Sequence, residues 1–235
     1  MALYRYVNER LIPKRYVPRI IPYTMIALGI GLFIWTIWPI ISFTVIEQYA
    51  VLRGSNIFGH VDSGTISPIV FAADAGEDLT KADAWLPSRP QKKGMGPIRT
   101  YTVSIPKLKI DDALVIVAGD DLGKSIIHYG GTALPGEYGT TVLFGHSTLP
   151  QFFSPTNYKS IFSTLPTIKV GDEVIIKSDG ITYTYVVEEI LVVDAANLGV
   201  LEQQFDDSHL TLVTCVPPGT YWKRLNVRAR LKKDL

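Results

Sequence analysis

From Ile20 to Ile46 no charged residue interrupts the chain. Such a run is long enough to cross the hydrocarbon core of a bilayer as one helix, which takes about 20 residues. Tyr23 stands near one end of the run and Trp35 and Trp38 towards the other, where amphipathic rings suit the two interfaces. Arg5, Arg10, Lys14, Arg15 and Arg19 precede it, with Glu9 as the only acid. The positive-inside rule therefore keeps residues 1–19 cytoplasmic and puts everything after Glu47 outside. A cleaved signal peptide would carry an apolar region of about 7–15 residues and a small-residue cleavage site. This run is longer, and Ser42 to Ala50 is too bulky for such a site, so residues 20–46 are expected to be a retained transmembrane anchor.

Residues 47–97 show no sustained periodicity. Glycine, serine, proline and charge interrupt the apolar positions, as in the stretch from Asp83 to Gly94. They read as an extracellular tether, with docking of Trp85 on the following domain as a lid as the alternative. After Gly96 the pattern becomes short β-like runs between turn signals. Strands are predicted over 98–105, 108–117, 140–144, 172–178, 181–193, 210–215 and 221–231. Asp179-Gly180 is a two-residue hairpin signal, 154–165 reads as a loop with one helical turn, and 198–205 as a short helix or turn. Seven or eight strands and almost no long helix predict a mostly β domain over 98–235, closed or nearly closed into a barrel.

Composition narrows the chemistry. A net charge of +1 over 235 residues gives no electrostatic case for nucleic-acid binding. The single cysteine, Cys215, cannot form an internal disulfide and excludes multi-cysteine zinc sites. A thiol is a strong nucleophile only as thiolate, so a reactive cysteine needs a base or a positive charge nearby. Strand parity bears on this. Leu210, Leu212 and Thr214 share one face, and Thr211, Val213 and Cys215 the other. In the next strand Leu225, Val227, Ala229 and Leu231 alternate with Arg224, Asn226, Arg228 and Arg230. If the apolar faces form the core, Cys215 and Arg224 both project outward. The short Pro217-Pro218-Gly219 turn makes the two strands antiparallel neighbours. That parity weighs against a purely buried cysteine.

Of the four histidines, His146 is the best placed partner, at the end of an apolar strand and the start of a loop. His128 lies among Ile127, Tyr129 and glycines, His209 opens the cysteine strand, and His60 is in the linker.

Together these features resemble a known family. Thr211-Leu212-Val213-Thr214-Cys215, followed nine residues on by Arg224 in Lys223-Arg224-Leu225-Asn226-Val227, is similar to the signature of sortases. These are membrane-anchored cysteine transpeptidases of the bacterial, mainly Gram-positive, cell surface. His128 to Glu137, then Gly145-His146-Ser147, is similar to the family's histidine region, and Ile105-Pro106-Lys107-Leu108 to its opening strand. The resemblance spans about residues 98–231 and implies an eight-stranded β-barrel. It puts the catalytic histidine on His146, the nucleophile on Cys215 and the catalytic arginine on Arg224. Phe144 and Val216 depart from the usual residues beside the histidine and cysteine motifs.

The activity implied is cleavage of a Leu-Pro-x-Thr-Gly-like sorting signal between threonine and glycine through a thioester. The acyl group then passes to an amine acceptor, a cell-wall precursor or a pilin lysine. Thr211, Val213 and the adjoining Thr214 are the expected substrate-binding residues, and Phe152 and Phe153 lie in a stretch that would accept the leucine and proline or serve packing. Some members carry an Asp-Pro-aromatic lid; Asp83-Ala84-Trp85 lacks the proline. Some use calcium, but Asp111, Asp112, Asp120 and Asp121 do not single out such a site, so no cofactor is expected to be required. The partners implied are secreted proteins with such signals and the membrane. A papain-like protease is disfavoured because the histidine precedes the cysteine, and an L,D-transpeptidase because its Ser-His-Gly-Cys motif is missing. The non-enzymatic alternative is a membrane-anchored adhesion or scaffold domain that retains the fold without turnover.

Overall fold

The computed structural model describes residues 20–52, 78, 80–86, 89–92 and 98–233. The basic stretch before Ile20, His60 and most of 47–97 lie outside these residues. Helix α1 runs Ile20–Leu52 with Pro39 inside it. Its apolar part, Ile20–Val45, is 26 residues long, or about 39 Å at 1.5 Å per residue, enough to cross a bilayer core of about 30 Å.

The second unit is a closed barrel of eight strands. They are β1 (Thr100–Ile105), β2 (Ile110–Val117), β3 (Ile126–His128), β4 (Gly139–Phe144), β5 (Glu173–Ser178), β6 (Ile181–Asp194), β7 (Ser208–Val216) and β8 (Lys223–Leu231). Around the barrel the order is β1-β2-β3-β4-β7-β8-β6-β5, and β5 closes onto β1. Most neighbours are antiparallel; β2 with β3 and β4 with β7 are parallel. The β5–β6 turn is the one the sequence predicts. Ser178 pairs with Ile181, and Asp179 and Gly180 have φ of 50° and 76°, the positive values a type I′ turn demands. The segment after β6 is a 3₁₀ turn, Leu198–Leu201, and the one after β4 is turns flanked by two 3₁₀ pieces, Pro150–Phe152 and Leu165–Thr167.

Strand alternation separates two apolar clusters. Inside the barrel lie Val103, Ile105, Val115, Ile126, Leu143, Val174, Ile176, Leu210, Leu212, Leu225 and Val227. Each fully buried aliphatic side chain stabilises the fold by about 1.5–3 kcal/mol. On the outer wall of β3, β4 and β7 lie Ile127, Val142, Phe144, Val213 and Cys215, together with Tyr129 just past β3. That second cluster is roofed by Ala82, Trp85 and Leu86 and flanked by Val200 and Leu201. Ala82 and Trp85 belong to α2 (Ala82–Trp85), a single helical turn.

Candidate active site

Three candidate residues stand side by side, Cys215 on β7, Arg224 on β8 and His146 just past the end of β4. β4 and β7 run parallel with Phe144 beside Val213, and the pairing continues past the end of β4. Gly145 N donates to Val213 O at 3.1 Å, Thr214 Oγ1 to Gly145 O at 2.8 Å, and Ser147 Oγ to Cys215 O at 2.7 Å. These bonds hold His146 alongside Cys215. Across β7, Cys215 pairs directly with Arg224 of β8. Phe144, Val213 and Cys215 belong to the outer cluster and Leu225 to the inner one. His146, Cys215 and Arg224 therefore form a row on the outer face, each one strand, about 4.8 Å, from the next. Only glycine fits before the histidine: a Cβ on Gly145 would meet the Phe162 ring at 2.4 Å.

Trp85 closes this row from above. Its ring lies edge-on to Phe144 and His146, with centroids 5.5 Å and 5.7 Å apart, and Arg224 Cζ stands 4.8 Å from its centroid, a cation–π contact. The indole thus bridges the two residues that flank Cys215. The segment carrying it is fastened at both ends. At one end Ala82 N donates to Asp120 O at 2.8 Å and Leu122 N to Thr80 O at 2.9 Å. At the other, Gln91 Nε2 donates to Gly119 O at 2.9 Å, Gly130 N to Gln91 Oε1 at 3.0 Å, Lys92 N to Gly130 O at 3.1 Å, and Tyr129 OH to Arg89 O. Residues 80–86 and 89–92 thus form a docked strap, where the sequence pattern favoured a tether.

Burial governs the protonation of the site. Cys215 faces outward as parity requires, yet it is only 1% exposed. Burial pushes its thiol up to about 11, against the downward pull of Arg224. The same burial lowers His146, against the upward pull of Asp121 and Asp78. The expected bias of Arg224 towards thiolate is present, but desolvation outweighs it. Burial thus favours the uncharged forms of both the thiol and the imidazole. Arg224 donates from Nη1 to Tyr221 O at 3.2 Å and Lys223 O at 3.4 Å, bonds that aim the guanidinium along the wall.

The other expected residues divide. Thr211 and Val213 lie on the outer face. Thr214 does not: it shares the inner face with Leu212 and Val216, is fully buried, and its hydroxyl is committed to Gly145 O. Its place is in holding the histidine loop to the cysteine strand, and it does not line the outer groove. His128 lies inside the barrel, bonded through Nδ1 to Tyr101 OH at 2.8 Å and through Nε2 to Thr132 Oγ1 at 3.0 Å. His209 pairs with Asp206 at 2.9 Å. Phe153 packs against the inner cluster while Phe152 is 59% exposed. Asp112 pairs with Lys177 and Asp121 with Lys124, each at 2.9 Å. Among the described residues no group of three or more His, Cys, Asp or Glu gathers as a metal site.

The Sortase domain family model matches residues 103–232 of this chain. Among solved structures, it is similar to sortase C1 of GBS Pilus Island 1, with 30% identity, TM-score 0.50, and coverage of 57% of this chain and 64% of that one. The chain thus spans less than two thirds of that protein. Sortase C1 from Streptococcus suis shows 29% identity, TM-score 0.50, and coverage of 58% and 75%. A lid mutant of sortase A from Corynebacterium diphtheriae shows 27% identity, TM-score 0.50, and coverage of 61% and 74%. No curated protein matches the chain.

Proposed function

The chain belongs to the sortase family, and on that footing we propose that it is a membrane-anchored transpeptidase in which Cys215, His146 and Arg224 carry the reaction. The observation that supports this most is the row of the three side chains on neighbouring strands, fixed by the Cys215–Arg224 pairing and the Ser147–Cys215 hydrogen bond.

The substrate is a secreted protein with a C-terminal Leu-Pro-x-Thr-Gly-like signal. As the peptide displaces Trp85, water and polar groups return to the site and the burial that raises the thiol is relieved. The Cys215 proton passes to His146, and the thiolate attacks the threonine carbonyl. Arg224 donates hydrogen bonds to the oxyanion or the peptide backbone. His146 then gives its proton to the departing glycine amine, leaving a thioester on Sγ. An incoming amine, from a cell-wall precursor or a pilin lysine, attacks that thioester. His146 takes the amine's proton, an amide forms, and the thiol is restored. No cofactor enters these steps.

In this proposal the Trp85 strap is a lid that keeps the nucleophile protonated until substrate arrives. That a similar structure is described as a lid mutant supports it. Helix α1 is read as the anchor, residues 1–19 being cytoplasmic and 98–235 the extracellular catalytic domain. Tethering there raises the effective concentration of substrates held at the same bilayer by their own apolar tails.

The test uses the detergent-solubilised full chain, a library of Leu-Pro-x-Thr-Gly variants and an amine such as triglycine. The expected product joins the Leu-Pro-x-Thr fragment to the amine in wild type and is absent in Cys215→Ala. No product from any variant would favour the non-catalytic scaffold reading.

A further inference from the structure

Asn226 occupies a position that strand chemistry does not favour. It lies in the middle of β8, paired with Val213 of β7 on one side and Leu191 of β6 on the other. Asparagine is depleted in strands, and both of its direct cross-strand neighbours are apolar. The flanking Leu225 and Val227 point into the barrel, so Asn226 projects outward, on the same face as Arg224. It is 2% exposed, and its Oδ1 is buried without a hydrogen-bond partner among the described residues. Leaving an acceptor unpaired there costs free energy that a leucine at this position would avoid.

Its location supplies a use. The Val213–Asn226 pair is two residues along the strands from the Cys215–Arg224 pair, about 6.6 Å at 3.3 Å per residue. In an extended peptide, the backbone nitrogen of one residue lies about 6 Å from the carbonyl carbon of the next. We propose that Asn226 is a substrate-binding residue whose carboxamide oxygen accepts the backbone N–H of the variable residue that precedes the reacting threonine. The inference rests on the reading of Cys215 as the nucleophile and adds a recognition group on the neighbouring strand. It assigns to Asn226 a hydrogen bond that exists only when the acyl-donor peptide is bound. Val213 and Thr211, on the same outer face, form the rest of that floor.

The test compares the full wild-type chain with Asn226→Leu on two fluorogenic peptides, Leu-Pro-Ala-Thr-Gly and its counterpart with lactate in place of alanine. The lactate peptide has an ester where the alanine N–H would be. For wild type, the ester is expected to lower kcat/KM about 5- to 10-fold. Asn226→Leu is expected to lose about the same factor on the amide peptide and nothing further on the ester. Its thermal midpoint should be unchanged or higher, which separates a binding defect from a folding defect. Equal turnover of the amide peptide by both chains, or losses that multiply, would overturn the proposal. So would the absence of any Cys215-dependent turnover in wild type, which would mark the failure of the underlying reading as well.

Discussion

His128 and His146 are both buried beside an aromatic ring, at 5.8 Å from Tyr101 and 5.7 Å from Trp85. They belong to opposite sides of one sheet. His128 lies within the barrel, 1% exposed and with both ring nitrogens bonded. His146 lies on the outer wall, and among the described residues no hydrogen bond reaches its ring. What covers it is a strap, fastened at its two ends, carrying three buried apolar side chains, Ala82, Trp85 and Leu86. Burial is similar in amount and different in kind. A satisfied network is structural, whereas an imidazole with no hydrogen bond to its ring among the described residues, held beside a thiol, fits the proposed proton transfer.

Exchange of each histidine breaks the comparison most directly. His146→Ala should lower kcat/KM by two to four orders of magnitude, the usual worth of a general acid–base, with little change in thermal midpoint. His128→Gln should do the reverse. Steady-state kinetics and thermal unfolding on both variants check this, and equal kinetic losses would erase the distinction.

Removing the cover comes next. Trp85→Ala should raise the rate of Cys215 alkylation at neutral pH by up to about 100-fold, since a thiol moved from about 11 back to 9.0 gains that factor in thiolate. Iodoacetamide labelling followed by mass spectrometry measures it; an unchanged rate would mean that the strap does not control the thiol. Arg224→Lys keeps the charge and loses the planar fork that donates to Tyr221 O and Lys223 O. A loss of about 10-fold or more in kcat/KM is expected.

A separate effect is on stability against pH. His128 is held down to about 4 by burial, whereas in the unfolded chain it protonates near 6.5. Between those values the unfolded state binds more protons, so this contribution is whole above pH 6.5 and is lost as pH falls through 4. It amounts to about 3 kcal/mol at full effect, and His146 adds in the same direction. Chemical denaturation at pH 7 and pH 4.5 should show the fall in wild type and a shallower one in His128→Gln.

The fold was readable where alternation was long. β8 alternates apolar and polar positions from Leu225 to Leu231, and its pairing with β7 across the short Pro217-Pro218-Gly219 turn places Cys215 and Arg224 on one face. β3 was not readable. It has three residues, Ile126–His128, too few to show a period, and it exists because β2 and β4 offer it a parallel and an antiparallel edge. The docking of Trp85 was only the second of two readings for a similar reason. The strap's attachment depends on backbone hydrogen bonds to Asp120 and Gly130, which no side-chain pattern announces. Thr214 shows the limit of a motif. Its place next to Cys215 puts it on the opposite face of the strand, where its hydroxyl serves the histidine loop.

The most direct measurement is the intact mass of the full chain quenched in acid during turnover of a Leu-Pro-x-Thr-Gly peptide without added amine. A mass gain equal to the Leu-Pro-x-Thr acyl group, mapped to Cys215, removed by hydroxylamine and absent in Cys215→Ala, is the expected result. Peptide cleavage that persists in Cys215→Ala would contradict it.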